Sequence, residues 1–293
     1  MNEEQRNHAQ RLRQAFNEYL EITYDLPRSS DETLLAYDFD FIDGRKWHSL
    51  GDMMVRCDLR ELTNIINGWN ISLYRWQAWS KVLETRDETE SCELRSEFLD
   101  SLVHECLLTP ASIRDTITSV ATAAFHQVRL SIDSSYADYL EGEPKTPEER
   151  PKILNRKYKE KRLSRLLRIW PSSTSFIEAL RELNTSDYID ETSNYRNLTA
   201  HTIGPRLEAG HTRTVTRSLV QAQIHKQNID GSFGFEDVPG KLAVSYGFGG
   251  TPPLNLEAVW AANLIQYNKA RLCYVEYRTL LESAIEDIIQ VEP

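Results

Sequence analysis

Long apolar runs are missing from this sequence of 293 residues. No segment approaches the ~18 uninterrupted apolar residues of a spanning helix, so no membrane partner is expected. The opening MNEEQRNHAQ is charged and offers no apolar stretch of signal-peptide length. The expectation is a soluble, cytoplasmic chain. Cysteine is scarce and scattered: Cys57, Cys92, Cys106 and Cys273 follow no C-x-x-C spacing. They read as reduced thiols, mostly in the core, of an intracellular protein. An excess of positive charge is missing too. The formal net charge is -10, which argues against a dedicated duplex-DNA binder while leaving room for a local basic groove. There is no internal repeat and no low-complexity tract. What remains is 40% hydrophobic with 6 Trp, which argues against disorder, and long enough for one large or two modest domains.

Several familiar sites are also missing. DFDFIDG, from Asp38, suggests a calcium loop, but Ile42 stands at the fifth loop position and Ser49 at the twelfth, where a carboxylate is required. HECLL at His104 lacks the second His of a zinc-protease helix. GFGGTPP carries Pro252 and Pro253, which remove donors a phosphate cradle needs, and no Lys-Ser/Thr follows. A hairpin end explains it better. No G-x-S-x-G elbow occurs.

The patterning is that of helices. Residues 2–24 carry Leu12, Phe16, Tyr19, Leu20 and Tyr24 at helical spacing, and Pro27 stops the run. Tyr37, Phe39 and Phe41 alternate like a strand. Residues 55–85 form a broad apolar stripe from Leu59 to Leu83. A helix over 91–108 is expected to end at Thr109-Pro110, and another to run over 111–140. This predicts a mostly α, antiparallel helical bundle. A small β-hairpin or meander is inserted before a long C-terminal helix, from about Asn255 to about Val291. The β segment rests on β-branched residues between His211 and Phe248, with turns at Asp230-Gly231 and Pro239-Gly240. Leu242, Val244, Tyr246 and Phe248 fall on one of its faces. The expected division is an N-terminal helical region over 1–140, a proline-rich linker over 141–152, and a region over 153–293 with the β insertion at about 208–250.

Two features carry possible chemistry. The first is a basic helix holding Arg156, Lys157, Lys159, Lys161, Arg162, Arg165 and Arg168, with an apolar side of Leu163, Leu166 and Leu167. It reads either as a solvated helix paired with acidic neighbours or as an RNA-backbone surface. Arg271 and Arg278, on the stripe of the last helix, are expected to pair with acids. The second feature is SNYRNLTAHTIGPR, Ser193–Arg206. Arg–His pairs four to six residues apart are cheap, about two by chance in this composition, and Arg206 with His211 is such a pair. Asn directly after the Arg cuts the expectation to roughly 0.1. Arg196-Asn197-x-x-x-His201 meets that requirement. On a helix Asn197 and His201 share a face one turn apart, with Arg196 on the flank. Histidine exchanges protons near neutrality, and arginine matches a phosphate and its transition state. Such a set without carboxylate ligands suits metal-independent cleavage of a phosphodiester with an internal nucleophile, which RNA's 2′-hydroxyl supplies. The bland alternative is a helix-end polar cluster in which His201 satisfies a carbonyl.

YRNLTAH in a helical domain, ahead of a long last helix, resembles the HEPN superfamily. Its signature is Arg, a polar residue and His four to six residues beyond the Arg. The resemblance covers the motif helix and about residues 150–293, and the β insertion departs from the family pattern. It implies a helical bundle that dimerises with two motifs at one interface and acts without cofactor or metal. It further implies an endoribonuclease of toxin–antitoxin, phage-defence or RNA-processing type, with RNA as substrate and a protein antitoxin or regulator as possible partner. Arg196 would then stabilise phosphate charge, His201 act as general acid or base, and Asn197 orient substrate. Arg156, Lys157, Lys159, Lys161, Arg162 and Arg165 would follow the RNA backbone. The rival reading is a non-enzymatic helical interaction or regulatory protein, in which Arg196 and His201 are buried and locally bonded.

Overall fold

A computed structural model describes residues 2–25 and 34–290. The chain is mostly helical, with a two-stranded antiparallel hairpin before the C-terminal helix. It divides into two compact units, Met1–Glu191 with Val259–Pro293, and Thr192–Ala258.

In the larger unit, α1 (Glu3–Asp25) is followed by α2 (Gly51–Leu83), α3 (Glu88–Leu94) and α4 (Asp100–Ile132). After a long connection come α5 (Arg156–Leu166), α6 (Ser173–Arg181) and α7 (Ser186–Glu191). The anticipated stop at Pro27 lies outside the described residues. Leu59, Leu62, Ile66, Trp69, Leu73 and Trp76 place the stripe of α2 in the core, while Ile65 faces out. The His48 amide donates to Ser131 Oγ (2.9 Å), joining the start of α2 to the end of α4, so the two helices run antiparallel. The last helix, α9 (Leu256–Glu286), also runs antiparallel to α2. Trp260 Nε1 donates to the Leu73 carbonyl (3.1 Å), and Thr63 Oγ1 lies 2.9 Å from the Tyr274 hydroxyl. Phe125, Phe176 and Tyr277 meet in a buried aromatic cluster with centroids 5.5 and 6.1 Å apart. Tyr19 of α1 stacks on Trp79, which stacks on Phe98. Phe16, Leu20 and Tyr24, assigned to the same stripe, remain exposed.

The structure departs from the sequence pattern at three places in this unit. Pro110 does not end a helix: α4 runs through it. Its ring removes the backbone donor that would serve the Cys106 carbonyl, while the Thr109 and Ser112 hydroxyls donate to the nearby carbonyls of Glu105 and Thr109 (2.9 and 3.0 Å). Buried Cys106, Leu107, Ala111 and Ile113 hold both sides of the proline in the core. The helix then ends at Ile132, short of 140. The alternating Tyr37–Phe41 stretch is irregular and closes in a 3-10 turn, Asp40–Ile42. Its ladder partner is a side chain: Asn67 accepts from the Leu35 amide (2.8 Å) and donates to the Leu35 carbonyl (3.0 Å).

The smaller unit begins with a left-handed break at Ser193 and Asn194 (φ 49° and 54°), then α8 (Tyr195–His201). Backbone pairing of Leu207 with Leu254 and Thr212 with Thr251 ties the following loop to the base of the hairpin. The hairpin consists of β1 (Val215–Gln227) and β2 (Phe233–Phe248), two long strands rather than several short ones. The Asp230-Gly231 turn is present, with Gly231 at φ +83°. Pro239-Gly240 is not a second turn. Gln221 pairs with Leu242 and Gln223 with Asp237, so residues 238–241 bulge out of β2. The Gln221 amide donates to the Val238 and Lys241 carbonyls and closes the bulge. A proline lacking an N–H is tolerated in a strand at such a place.

Candidate functional site

The break at Ser193–Asn194 makes the motif helix only seven residues long and sets Arg196 and Asn197 in its first turn, with His201 last. Asparagine tolerates the left-handed region better than most residues, and Asn194 has a second use there. Its side-chain oxygen accepts from the Asn197 amide nitrogen (2.7 Å), and the Asn197 oxygen accepts from Arg196 Nη1 (2.9 Å). A chain of three polar side chains is thereby fixed along the start of the helix. Arg196 lies about 140° from His201 around an ideal helix, yet its guanidinium is drawn round to Asn197, which shares the His201 face. Tyr195 is buried and anchors the opposite side.

Arg196, Asn197 and His201 are all exposed. Among the described residues, the His201 side chain makes no hydrogen bond, so its ring is not tied to a carbonyl. After α8 the chain turns back closely. A Cβ at Gly204 would lie 2.4 Å from Thr199 Oγ1, so only glycine fits without displacement. The second Arg–His pair, Arg206 and His211, sits in irregular backbone, where His211 packs beside Gly250.

The basic helix α5 is capped by Asn155, whose side chain accepts from the Tyr158 amide (3.1 Å). Positive charge at a helix N-terminus opposes the helix dipole, and Arg156 is compensated by a two-pronged pair with Asp115 (2.7 and 3.1 Å). Arg162 donates to the Glu141 carbonyl (2.8 Å), and Arg165 pairs with the Glu141 carboxylate. The arginines of the proposed RNA surface are thus turned onto the protein. Lys157 and Lys161 are exposed and Lys159 is half-buried; Lys161 hovers 6.0 Å from the Tyr158 ring. Arg278 pairs with Asp38 and Glu282, which holds the Asp38 carboxyl below its ordinary range.

Two further clusters in the larger unit had no sequence signal. His126, buried in α4, lies 2.9 Å from both the Tyr136 hydroxyl and Asp138. Both partners come from beyond the helix end. A groove of about 680 Å³ opens between α2 and α4, lined by Asn64, Trp69, Arg75, Glu105 and Thr109 among others. Cys57 and Cys92 are exposed and Cys106 and Cys273 buried, so only half of the thiols are in the core. Burial pushes the Cys106 thiol up to about 12. Among the described residues, no cluster of three or more His, Cys, Asp or Glu is placed to hold a metal, and no helix is long and apolar enough to cross a membrane. No protein-family model, curated protein or solved structure matches the chain.

Proposed function

We propose that the protein is a metal-independent RNA endonuclease acting through Arg196, Asn197 and His201, as the likeness of its motif to HEPN proteins suggests. The supporting observation is that a cation, an amide and an imidazole occupy one short helix, solvent-facing, with Arg196 held to Asn197. The arginine keeps four further N–H donors for a phosphate. In the reaction His201 takes the proton of a ribose 2′-hydroxyl, and the 2′-oxygen bonds to phosphorus. The P–O5′ bond breaks, leaving a 2′,3′-cyclic phosphate and a 5′-oxygen that takes up a proton. Arg196 stabilises the charge that gathers on the non-bridging oxygens, and Asn197 orients the backbone. The exposed lysines of α5, Lys157 and Lys161, are the part of the basic helix turned to solvent, and their contribution to RNA binding weakens with salt.

The rival, a non-enzymatic interaction protein, required Arg196 and His201 to be buried. Their exposure counts against that form of it, whereas the internal pairing of Arg156, Arg162 and Arg165 favours it. The two readings separate when purified protein is incubated with mixed RNA in EDTA beside Arg196→Ala and His201→Ala. The enzyme reading expects cleavage by the wild type and a loss of about 10²-fold or more in each variant. Silence from the wild type, or equal cleavage by all three, removes it.

A further inference from the structure

The hairpin carries a row of large apolar residues that are exposed among the described residues. Antiparallel pairing puts Val215, Arg217, Leu219, Gln221, Gln223 and His225 on one face of β1, with Phe248, Tyr246, Val244, Leu242, Asp237 and Phe235 opposite them. Phe233, Phe235, Tyr246 and Phe248 are 64–96% exposed, and Val215, Leu219, Leu242 and Val244 are exposed as well. The other face carries Thr216, Ser218, Val220, Ala222, Ile224, Ala243, Ser245 and Gly247, with Val220 and Ile224 its two large exposed apolar residues. All four aromatic rings and most of the large aliphatic residues thus gather on one face, and that face is exposed to water.

A two-stranded hairpin alone is marginal in water, and monomers rarely expose an apolar patch beyond a few hundred Å². The four aromatic rings leave on the order of 600 Å² uncovered. The four aliphatic residues bring the face to the ~800 Å² per partner that a standard interface buries. The charges on the face fix what can cover it. Arg217 stands opposite Tyr246 near the base, and Asp237 stands opposite Gln223 beyond the bulge. A two-fold axis across the strands at Val220 lays Arg217 of one hairpin over the Gln223–Asp237 pair of another, and lays Val215–Phe248 over His225–Phe235. Under that axis the face is self-complementary in charge, as an isologous interface requires.

We infer that this face of β1–β2 is a dimer interface, and that its occupant is the same face of a second copy of this chain, packed as a two-layer β sandwich. This inference stands apart from the RNA reading, since a chain can dimerise here whether or not it cleaves.

The test is sedimentation or light scattering of the full chain across a concentration series. The wild type is expected to be dimeric, while Leu219→Glu and Val244→Glu shift it to monomer with an unchanged far-ultraviolet spectrum. Ser218→Glu, on the opposite face, should leave the dimer intact. Arg217→Asp should weaken association by about tenfold or more, and Arg217→Asp with Asp237→Arg should restore it. A wild type that stays monomeric throughout overturns the proposal, as it would if the aromatics served RNA or another protein instead. So does a dimer that survives both glutamate substitutions, or a charge swap that fails to restore it.

Discussion

The two compact units treat apolar side chains in opposite ways. In the larger one, the stripes of α2, α4 and α9 are buried, and Thr63 and Tyr274 meet within them. In the smaller one, the best-patterned apolar face of the chain, that of β1 and β2, is in water. Hydrophobic burial is roughly proportional to area removed from water, so the first unit has already gained its stabilisation and the second still has most of it to gain. The comparison teaches that the same signal, apolar periodicity, marks a core in one region and an interaction surface in the other.

Substitutions in the larger unit should be felt in unfolding, and those on the hairpin face in association. Trp76→Ala removes one of the largest fully buried side chains and should cost about 3–5 kcal/mol in urea unfolding. A cost below about 1 kcal/mol would mean the core is not closed around it. Next comes Asn67→Ala, which strips the Leu35 amide and carbonyl of their partner. A loss of about 1–3 kcal/mol is expected, readable also as faster hydrogen exchange at Leu35.

The ion pair of Arg278 with Asp38 should matter less, because the Asp38 side chain is largely exposed and surface pairs contribute about 0–1 kcal/mol. Its signature is in pH. Asp38 is depressed in the folded state, so its stabilisation is present above the unfolded carboxylate value of about 3.9. It is lost as pH falls through the folded value. Arg278→Ala should therefore lower stability at neutral pH and flatten the acid limb of the stability profile. An acid limb identical to the wild type's would remove the pair from the account. Smallest of all, Tyr246→Ser should change unfolding by less than about 0.5 kcal/mol at dilutions where the chain is monomeric. A larger loss there would show that the hairpin face is already packed, and would erase the contrast between the units.

How much of this is legible in the sequence depends on the range of the force involved. The helical stripes of α2, α4 and α9 are readable because Leu59, Leu62, Ile66 and Ile113, Ile117, Ala124 repeat at the helical period. Pro110 misleads because a rule about one residue yields to packing on both its sides. Pro239-Gly240 misleads for a related reason: a turn dipeptide cannot announce that Gln221, on the other strand, will close it as a bulge. The alternation of β2 is legible, but which way its apolar face looks is a tertiary fact. At the candidate site, the positions and shared face of Asn197 and His201 follow from spacing. The Asn194–Asn197–Arg196 chain does not, because it depends on a left-handed break at Ser193–Asn194 that no local pattern marks. Nor could the basic run foretell that Asp115 and Glu141 would claim its arginines.

The central claim, that Arg196 and His201 direct a 2′-hydroxyl against its own phosphodiester, is tested most directly by the chemical identity of the cut ends. A defined RNA is incubated with the protein in EDTA, beside the same strand carrying 2′-deoxyribose at the cleaved position. The account predicts a 2′,3′-cyclic phosphate and a 5′-hydroxyl from the RNA, no cleavage at the deoxy position, and neither product from His201→Ala. A 3′-hydroxyl end, or cleavage that persists at the deoxy position, would contradict it.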